Sequence, residues 1–126
     1  YHAGTFAGHP MAMAAGLATL QALRRLLPYA ALDALGQRLE DGLRRALTHT
    51  EPQIQINRFG SMLTVFFGRR VTNFAEAQAA DAMRFAAWAV RLRARGVLVP
   101  PSPFEALFLS TAHTPAQIDR IVAASA

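Results

Sequence analysis

Few residues in this chain could do chemistry, and two short stretches hold the best of them. Ala3-Gly4-Thr5 lies a few residues ahead of Pro10 and an alanine-rich segment. Glycine lets backbone approach a ligand closely, and an amide N–H beside a threonine hydroxyl makes a good pair of donors to an anion. The same residue types also serve as a plain loop before a helix. On these residues alone both readings stay open. The second stretch surrounds Glu105, which stands between Phe104 and Ala106, just after Pro100-Pro101-Ser102-Pro103. A lone glutamate is most often a solvated charge. Here a stiff proline run and an apolar strand adjoin it, which argues mildly for a less solvated place.

Other chemistries are excluded by what is missing. The chain has no lysine. Apart from the terminus it has no primary amine, and so no side chain that could form a Schiff base. It has no cysteine, which removes disulfides and thiolate metal sites and fits a cytoplasmic location. The histidines fall at positions 2, 9, 49 and 113; no two share a helical face at ligand spacing, so no metal site is expected. All thirteen basic residues are arginine and the net charge is +5. Arg24, Arg38, Arg44, Arg84 and Arg91 are dispersed in helical segments beside acids. They read as solvated faces rather than a nucleic-acid surface. No long uncharged apolar run appears, so no membrane span is expected. The segment 5–22 reads as a buried soluble helix, and no basic region precedes it as in a signal peptide.

The elements that must position these residues follow from pattern. His9-Pro10 starts a helix that runs to about Leu27 and stops before Pro28. Its small residues, Met11 to Gly16, predict close approach of other backbone and burial on several sides. A second helix covers about Tyr29 to Leu47, with Leu32, Leu35, Leu39, Leu43 and Leu47 in one stripe. Glu40 with Arg44, and Asp41 with Arg45, are i,i+4 pairs. "THTEP" breaks the pattern. "QIQINRF" alternates, with Ile54 and Ile56 on one face, Gly60-Ser61 interrupts, and "MLTVFF" reads as a covered strand. Gly68-Arg69-Arg70 reads as a turn.

A third helix is expected over about Ala75 to Arg95. Phe85, Trp88 and Leu92 point inward there, Met83 joins the core, and Gly96 is the stop. "VLV" (97–99) and "ALFLS" (106–110) read as two more short strands. Thr114-Pro115-Ala116-Gln117 is a capping box that opens a last helix to about Ser125. Ser61 reads as a turn hydroxyl and His113 as structural, bonding a nearby carbonyl. The order implies an α+β fold: a small, mostly antiparallel sheet covered on one face by helices. The best boundary lies near Pro28, giving segments 1–28 and 29–126. Because the first residue is not methionine, the chain reads as part of something longer.

Three stretches then stand out together: "HAGTFAGHPMAMAAGLATL" at 2–20, "FGSMLTVFF" at 59–67 and "PPSPFEALFLSTAHT" at 100–114. In order and spacing they resemble the C-terminal part of the glutamate-1-semialdehyde 2,1-aminomutase family. That family belongs to the class III aminotransferases, pyridoxal-phosphate (PLP) enzymes of fold type I. "VTNFAEAQAADAMRFAAWAVRLRARGV" looks like the segment between the second and third stretches. The resemblance covers His2 to Ala126. The first stretch is shared across class III, whereas "PFEALFLSTAHT" is far more specific. The chain departs from the common pattern at His2, Ala7, His9 and Leu107.

The resemblance implies a cytoplasmic homodimer in a polypeptide roughly three times longer. Residues 1–28 would end the large PLP-binding domain with its last helix. Residues 29–126 would form the C-terminal small domain. Gly4 and Thr5 would reach across the dimer to the phosphate of the partner subunit's cofactor, which cycles between PLP and its pyridoxamine form. Glu105 would line the substrate pocket where α-amino-acid aminotransferases hold an arginine. A carboxylate there repels an α-carboxylate and so selects against ordinary amino acids in favour of an amino-aldehyde. The Schiff-base lysine would lie outside this chain, which alone would be inactive. Two alternatives stand beside this reading. One is a class III aminotransferase for a β- or ω-amino acid. The other is a non-catalytic truncated paralogue acting as a dimerisation module.

Overall fold

The computed structural model describes residues 3–48, 53–68 and 70–126. His2, His49, most of the expected break at "THTEP" and Arg69 of the expected turn lie outside them. Pro10 sits at the first turn of helix α1 (Pro10–Leu26), where its missing N–H costs nothing. Leu27 ends α1 in the left-handed region at φ 42°, its N–H donating to the Leu23 carbonyl. Helix α2 (Tyr29–Leu47) begins directly after Pro28. Strands β1 (Ile54–Phe59) and β2 (Met62–Phe67) form an antiparallel hairpin through Gly60-Ser61, with Phe59 opposite Met62 and Ile56 opposite Val65. Gly60 takes the positive φ (58°) that so short a loop demands. Helices α3 (Phe74–Gln78) and α4 (Ala82–Ala94) follow. The short strand β3 (Leu107–Phe108) adds antiparallel to β2, giving the order β1-β2-β3. Helix α5 (Pro115–Ser125) closes the chain, and its Thr114–Gln117 capping box is formed in both directions.

The core lies between one face of the sheet and helices α2, α4 and α5. Leu39, Leu43 and Leu47 of α2 meet Ile56, Leu63, Val65 and Phe67 of the hairpin, Phe85, Trp88 and Leu92 of α4, and Ile118 of α5. Phe67, Phe85 and Trp88 form a three-ring cluster with centroids 5.6–6.5 Å apart, inclined or edge-on as aromatic quadrupoles prefer. Each such fully buried side chain contributes about 1.5–3 kcal/mol. The α+β layer expected from the pattern is therefore present, with a three-stranded antiparallel sheet.

Five expectations are corrected. The third helix is two helices, because Asp81 caps a fresh start: its carboxylate accepts from the Arg84 N–H at 3.0 Å, and its own N–H donates to the Phe67 carbonyl. Met83, on the outer side of that start, is 83% exposed and not in the core. Residues 97–99 form no strand. The Val97 N–H closes α4 by donating to the Leu92 carbonyl while Gly96 turns at φ 79°, a Schellman cap, and the following prolines have no N–H to offer. The strand expected over 106–110 shrinks to two residues because the Ser110 N–H is taken by His113 Nδ1. The fifth correction is the largest. Helix α1, expected to be buried on several sides, has no buried residue, since no described segment reaches across it.

Candidate functional site

The loop before α1 is built by turns. The Ala7 N–H donates to the Gly4 carbonyl at 2.9 Å and the His9 N–H to the Phe6 carbonyl at 3.1 Å. The Phe6 and His9 rings meet edge-on, 5.5 Å apart. Gly4 sits at φ 145°, a conformation that side chains rarely adopt, and the space where a Cβ would stand is open. Among the described residues the Thr5 hydroxyl and N–H have no partner, and no side chain caps the start of α1. The loop thus presents unengaged donors, an exposed hydroxyl and a helix N-terminus together. That donor set suits a phosphate, for which each contact is a charge-assisted hydrogen bond.

Glu105 lies in a turn ahead of β3. Its N–H donates to the Ser102 carbonyl at 3.2 Å, and the Phe104 N–H donates to Ser102 Oγ at the same distance. Pro103 beneath them is buried. The Glu105 side chain is exposed, and among the described residues nothing partners its carboxylate. Gly4, Thr5 and Glu105 line none of the five main cavities among the described residues. His113 is structural, with a different role from the one expected: its ring nitrogen faces the Ser110 N–H (3.0 Å) and Oγ (3.2 Å) rather than a carbonyl.

Sequence reasoning passed over two features. One is a cavity of about 660 Å³ at the open end of the sheet, lined by Tyr29, Arg58, Phe59, Ser61, Met62 and Phe108. Phe59, Met62 and Phe108 are successive cross-strand neighbours on the face away from the core, and all three are exposed. The second is Arg58. It shares the inward parity of Ile54 and Ile56, an unusual place for a charge, and that parity was the available signal. Its side chain is 15% exposed. It donates to Glu40 Oε2 (2.9 Å), Gln37 Oε1 (2.7 Å), Asp33 Oδ1 and the Gly60 carbonyl (2.9 Å). The bond to Asp33, opposed by partial burial and helped by Glu40, holds its pKa above the ordinary arginine value. Arg44 joins the network through Glu40 Oε1 (2.8 Å) and the Ile56 carbonyl (3.1 Å).

No protein-family model matches the chain. Among curated proteins, the glutamate-1-semialdehyde 2,1-aminomutase of Desulfosudis oleivorans is 48% identical over 126 residues, covering 99% of this chain and 30% of that protein. The aminomutase of Anaeromyxobacter sp. (strain Fw109-5) is 47% identical over 126 residues, covering 99% of this chain and 29% of that protein. In solved structures the fold matches a β-phenylalanine aminotransferase from Variovorax paradoxus (TM-score 0.76, 30% identity, 98% of this chain and 29% of that one). It also matches an ω-transaminase from Sphaerobacter thermophilus (TM-score 0.73, 25% identity, 99% and 30%). This is the architecture of the C-terminal small domain of a fold type I PLP enzyme. The chain spans about 30% of the length of the curated relatives it matches. At 45–48% identity over nine-tenths or more of its residues, the chain matches one segment of proteins named glutamate-1-semialdehyde 2,1-aminomutase.

Proposed function

We propose that the whole protein, of which this chain is one segment, is a PLP-dependent aminomutase. It would convert glutamate-1-semialdehyde to 5-aminolevulinate, the precursor of tetrapyrroles, as a cytoplasmic homodimer. The observation that carries this reading is the near-50% identity to named aminomutases maintained through the whole chain. In the reaction the amine and the carbonyl exchange carbons, C2 with C1, with no net oxidation. When bound, the cofactor supplies the electron sink and the amine carrier. This chain's residues position and select. Gly4 and Thr5 hold the phosphate of the partner subunit's cofactor through backbone N–H and hydroxyl donors. Glu105 forms a wall of the substrate pocket and repels any ligand bearing an α-carboxylate at that place. Residues 1–28 belong to the large domain and 29–126 to the small one. The amine that moves protons comes from outside this chain, which has no lysine.

The transaminase neighbours favour one second reading, a class III aminotransferase acting on a β- or ω-amino acid. The test is Glu105→Arg in the full-length enzyme. Arginine replaces a repulsive contact with a planar fork that matches a carboxylate. The parent should form 5-aminolevulinate and leave its PLP absorbance unchanged with L-alanine or L-glutamate. The variant should lose aminomutase activity and convert the PLP band to the pyridoxamine band with either amino acid. A variant with full activity and no new reaction removes Glu105 from the pocket, and a parent unable to isomerise the semialdehyde hands the case to the aminotransferase.

A further inference from the structure

Glu105 has no side-chain partner of its own among the described residues, so its place must be set by the backbone that carries it. That backbone leads into β3, whose two residues pair only with Met62 and Leu63 at the start of β2. One more bond follows, from the Leu109 N–H to the Ser61 carbonyl at 3.0 Å. Besides the Ser102 turn before it and the packing of Leu107 and Leu109 on the core, the Glu105 segment is supported through the sheet by the Gly60-Ser61 turn and the two residues after it.

The turn is in its turn held on α2. Gly36 faces it so closely that a methyl group on Gly36 would overlap the Gly60 carbonyl oxygen. Arg58 reaches the same carbonyl while its other donors engage Asp33, Gln37 and Glu40, at successive turns of α2. One guanidinium thus ties the helix and the hairpin tip together. Arginine alone offers a rigid fork with enough donors for this. Arg58 and Glu40 are the shielded members, with side chains 15% and 16% exposed, while Asp33 is 57% exposed.

We infer that Arg58, with Gly36 as its close-packing partner, is a positioning residue: it clamps the β1–β2 turn to α2 and thereby fixes β3 and the Glu105 carboxylate relative to the substrate. This rests on the assignment of Glu105 to the pocket wall. A merely structural role would lower stability and leave selectivity alone, so the test compares the clamp with a second tight glycine of α2. A methyl on Gly42 would overlap Val122 of α5, away from the turn.

In the full-length enzyme, Arg58→Gln, Arg58→Lys and Gly36→Ala are set against Gly42→Ala. Hydrogen exchange read by mass spectrometry on the segment containing the Leu109 amide should accelerate roughly tenfold or more in the three clamp variants, the scale of one lost hydrogen bond to a charged group. Exchange in α4 should stay at the parent rate. Gly42→Ala should change α5 and leave the Leu109 amide protected. With the semialdehyde, the clamp variants should raise KM by about tenfold, by the same scale, at little changed kcat and unchanged cofactor retention. Gly42→Ala should leave KM alone. Uniform acceleration in all four variants, or a Leu109 amide as protected in Arg58→Gln as in the parent, overturns the clamp whatever the reaction proves to be. Clamp-specific exchange with unaltered KM keeps the mechanical link and overturns its bearing on the substrate. Should the parent fail to isomerise the semialdehyde, the proposed function is lost while the exchange comparison still decides on the clamp.

Discussion

Helices α1 and α2 are neighbours in sequence and close in length, 17 and 19 residues, yet they are opposite structural objects. The five buried residues of α2 are Gly36, Leu39, Gly42, Leu43 and Leu47, while α1 has none. Met11, Leu17, Leu20 and Leu26 are each more than half exposed. The difference is not helix-forming tendency, for alanine-rich α1 is the better former by composition. It lies in where the covering surface comes from. The stripe of α2 finds its complement within the chain, in the hairpin and α5. The complement of α1 does not lie among the described residues of a chain that spans about 30% of its relatives.

The strongest way to break that comparison is to truncate one large apolar residue on each side of it. In the 126-residue chain, Trp88→Ala should cost about 3–5 kcal/mol, a large share of a small domain's stability. Leu20→Ala in α1 should change it by less than about 0.5 kcal/mol. Urea titrations followed by tryptophan-independent circular dichroism give both values. In the full-length enzyme Leu20→Ala should become costly, about 2–5 kcal/mol. Equal costs for the two substitutions in the short chain would mean that α1 has a packing partner within it.

The loop ahead of α1 gives the next largest effect, and it too should depend on what surrounds the chain. Thr5→Ala should leave the fold of the 126-residue chain untouched. If Thr5 holds the phosphate as proposed, the substitution in the full-length enzyme should remove one hydrogen bond to a charged group, about 1.5–3 kcal/mol, or roughly ten- to a hundred-fold in cofactor affinity. Dialysis followed by absorbance of the retained cofactor measures this. Parent-like retention would take Thr5 out of the phosphate site.

Where the sequence was informative, the determinant was local. Pro10, the Leu39–Leu43–Leu47 spacing, Gly60-Ser61 and the Thr114–Gln117 box each act within a few residues, and each appears where the pattern placed it. Asp81 misled because a cap in the middle of an otherwise helical run looks like one more polar helix residue. "VLV" misled because its N–H goes to the end of α4, a choice no hydrophobicity pattern records. Arg58 was passed over because its four partners are scattered over two elements. The Gly4-Thr5 loop and Glu105 were singled out by residue type and resemblance. Nothing in the pattern says how they would come together, and none of the five main cavities among the described residues contains them.

Gly16 sharpens the comparison through sign rather than size. Nothing lies within 4 Å of a Cβ built on it. In the 126-residue chain, Gly16→Ala should therefore stabilise α1 by about 0.5–1 kcal/mol through reduced backbone freedom, seen as higher helicity. If small residues there admit another backbone in the longer protein, the same substitution should destabilise the full-length enzyme. A gain in both contexts would mean that no close approach occurs at Gly16.

The smallest effect belongs to α3, which is short and has no buried residue. Its start is held by side chains: Asn73 Oδ1 accepts from the Glu76 N–H (3.0 Å), and Glu76 Oε2 accepts from the Thr72 N–H (2.6 Å) and Oγ1 (2.8 Å). The Thr72 backbone bond, then its hydroxyl, lowers the Glu76 pKa from its ordinary 4.5. The lowered value means that the folded form favours the carboxylate. The stabilisation is then fully present above the ordinary value and fades as pH falls below it, through the folded pKa. Hydrogen exchange across 72–79 should therefore rise on acidification from pH 6 to about pH 3 more than exchange in α4 does, beyond the intrinsic pH trend. Glu76→Gln keeps an acceptor and cannot titrate, so that extra acid dependence should disappear. An identical acid response in parent and variant would show that the carboxylate does not hold the start of α3. The Arg38–Asp119 pair, which joins α2 to α5 at 2.8 Å and lowers the Asp119 pKa through its hydrogen bond, is a separate acid-sensitive contact. Because that pair bridges two core helices, its loss would appear in α2 and α5 rather than in α3.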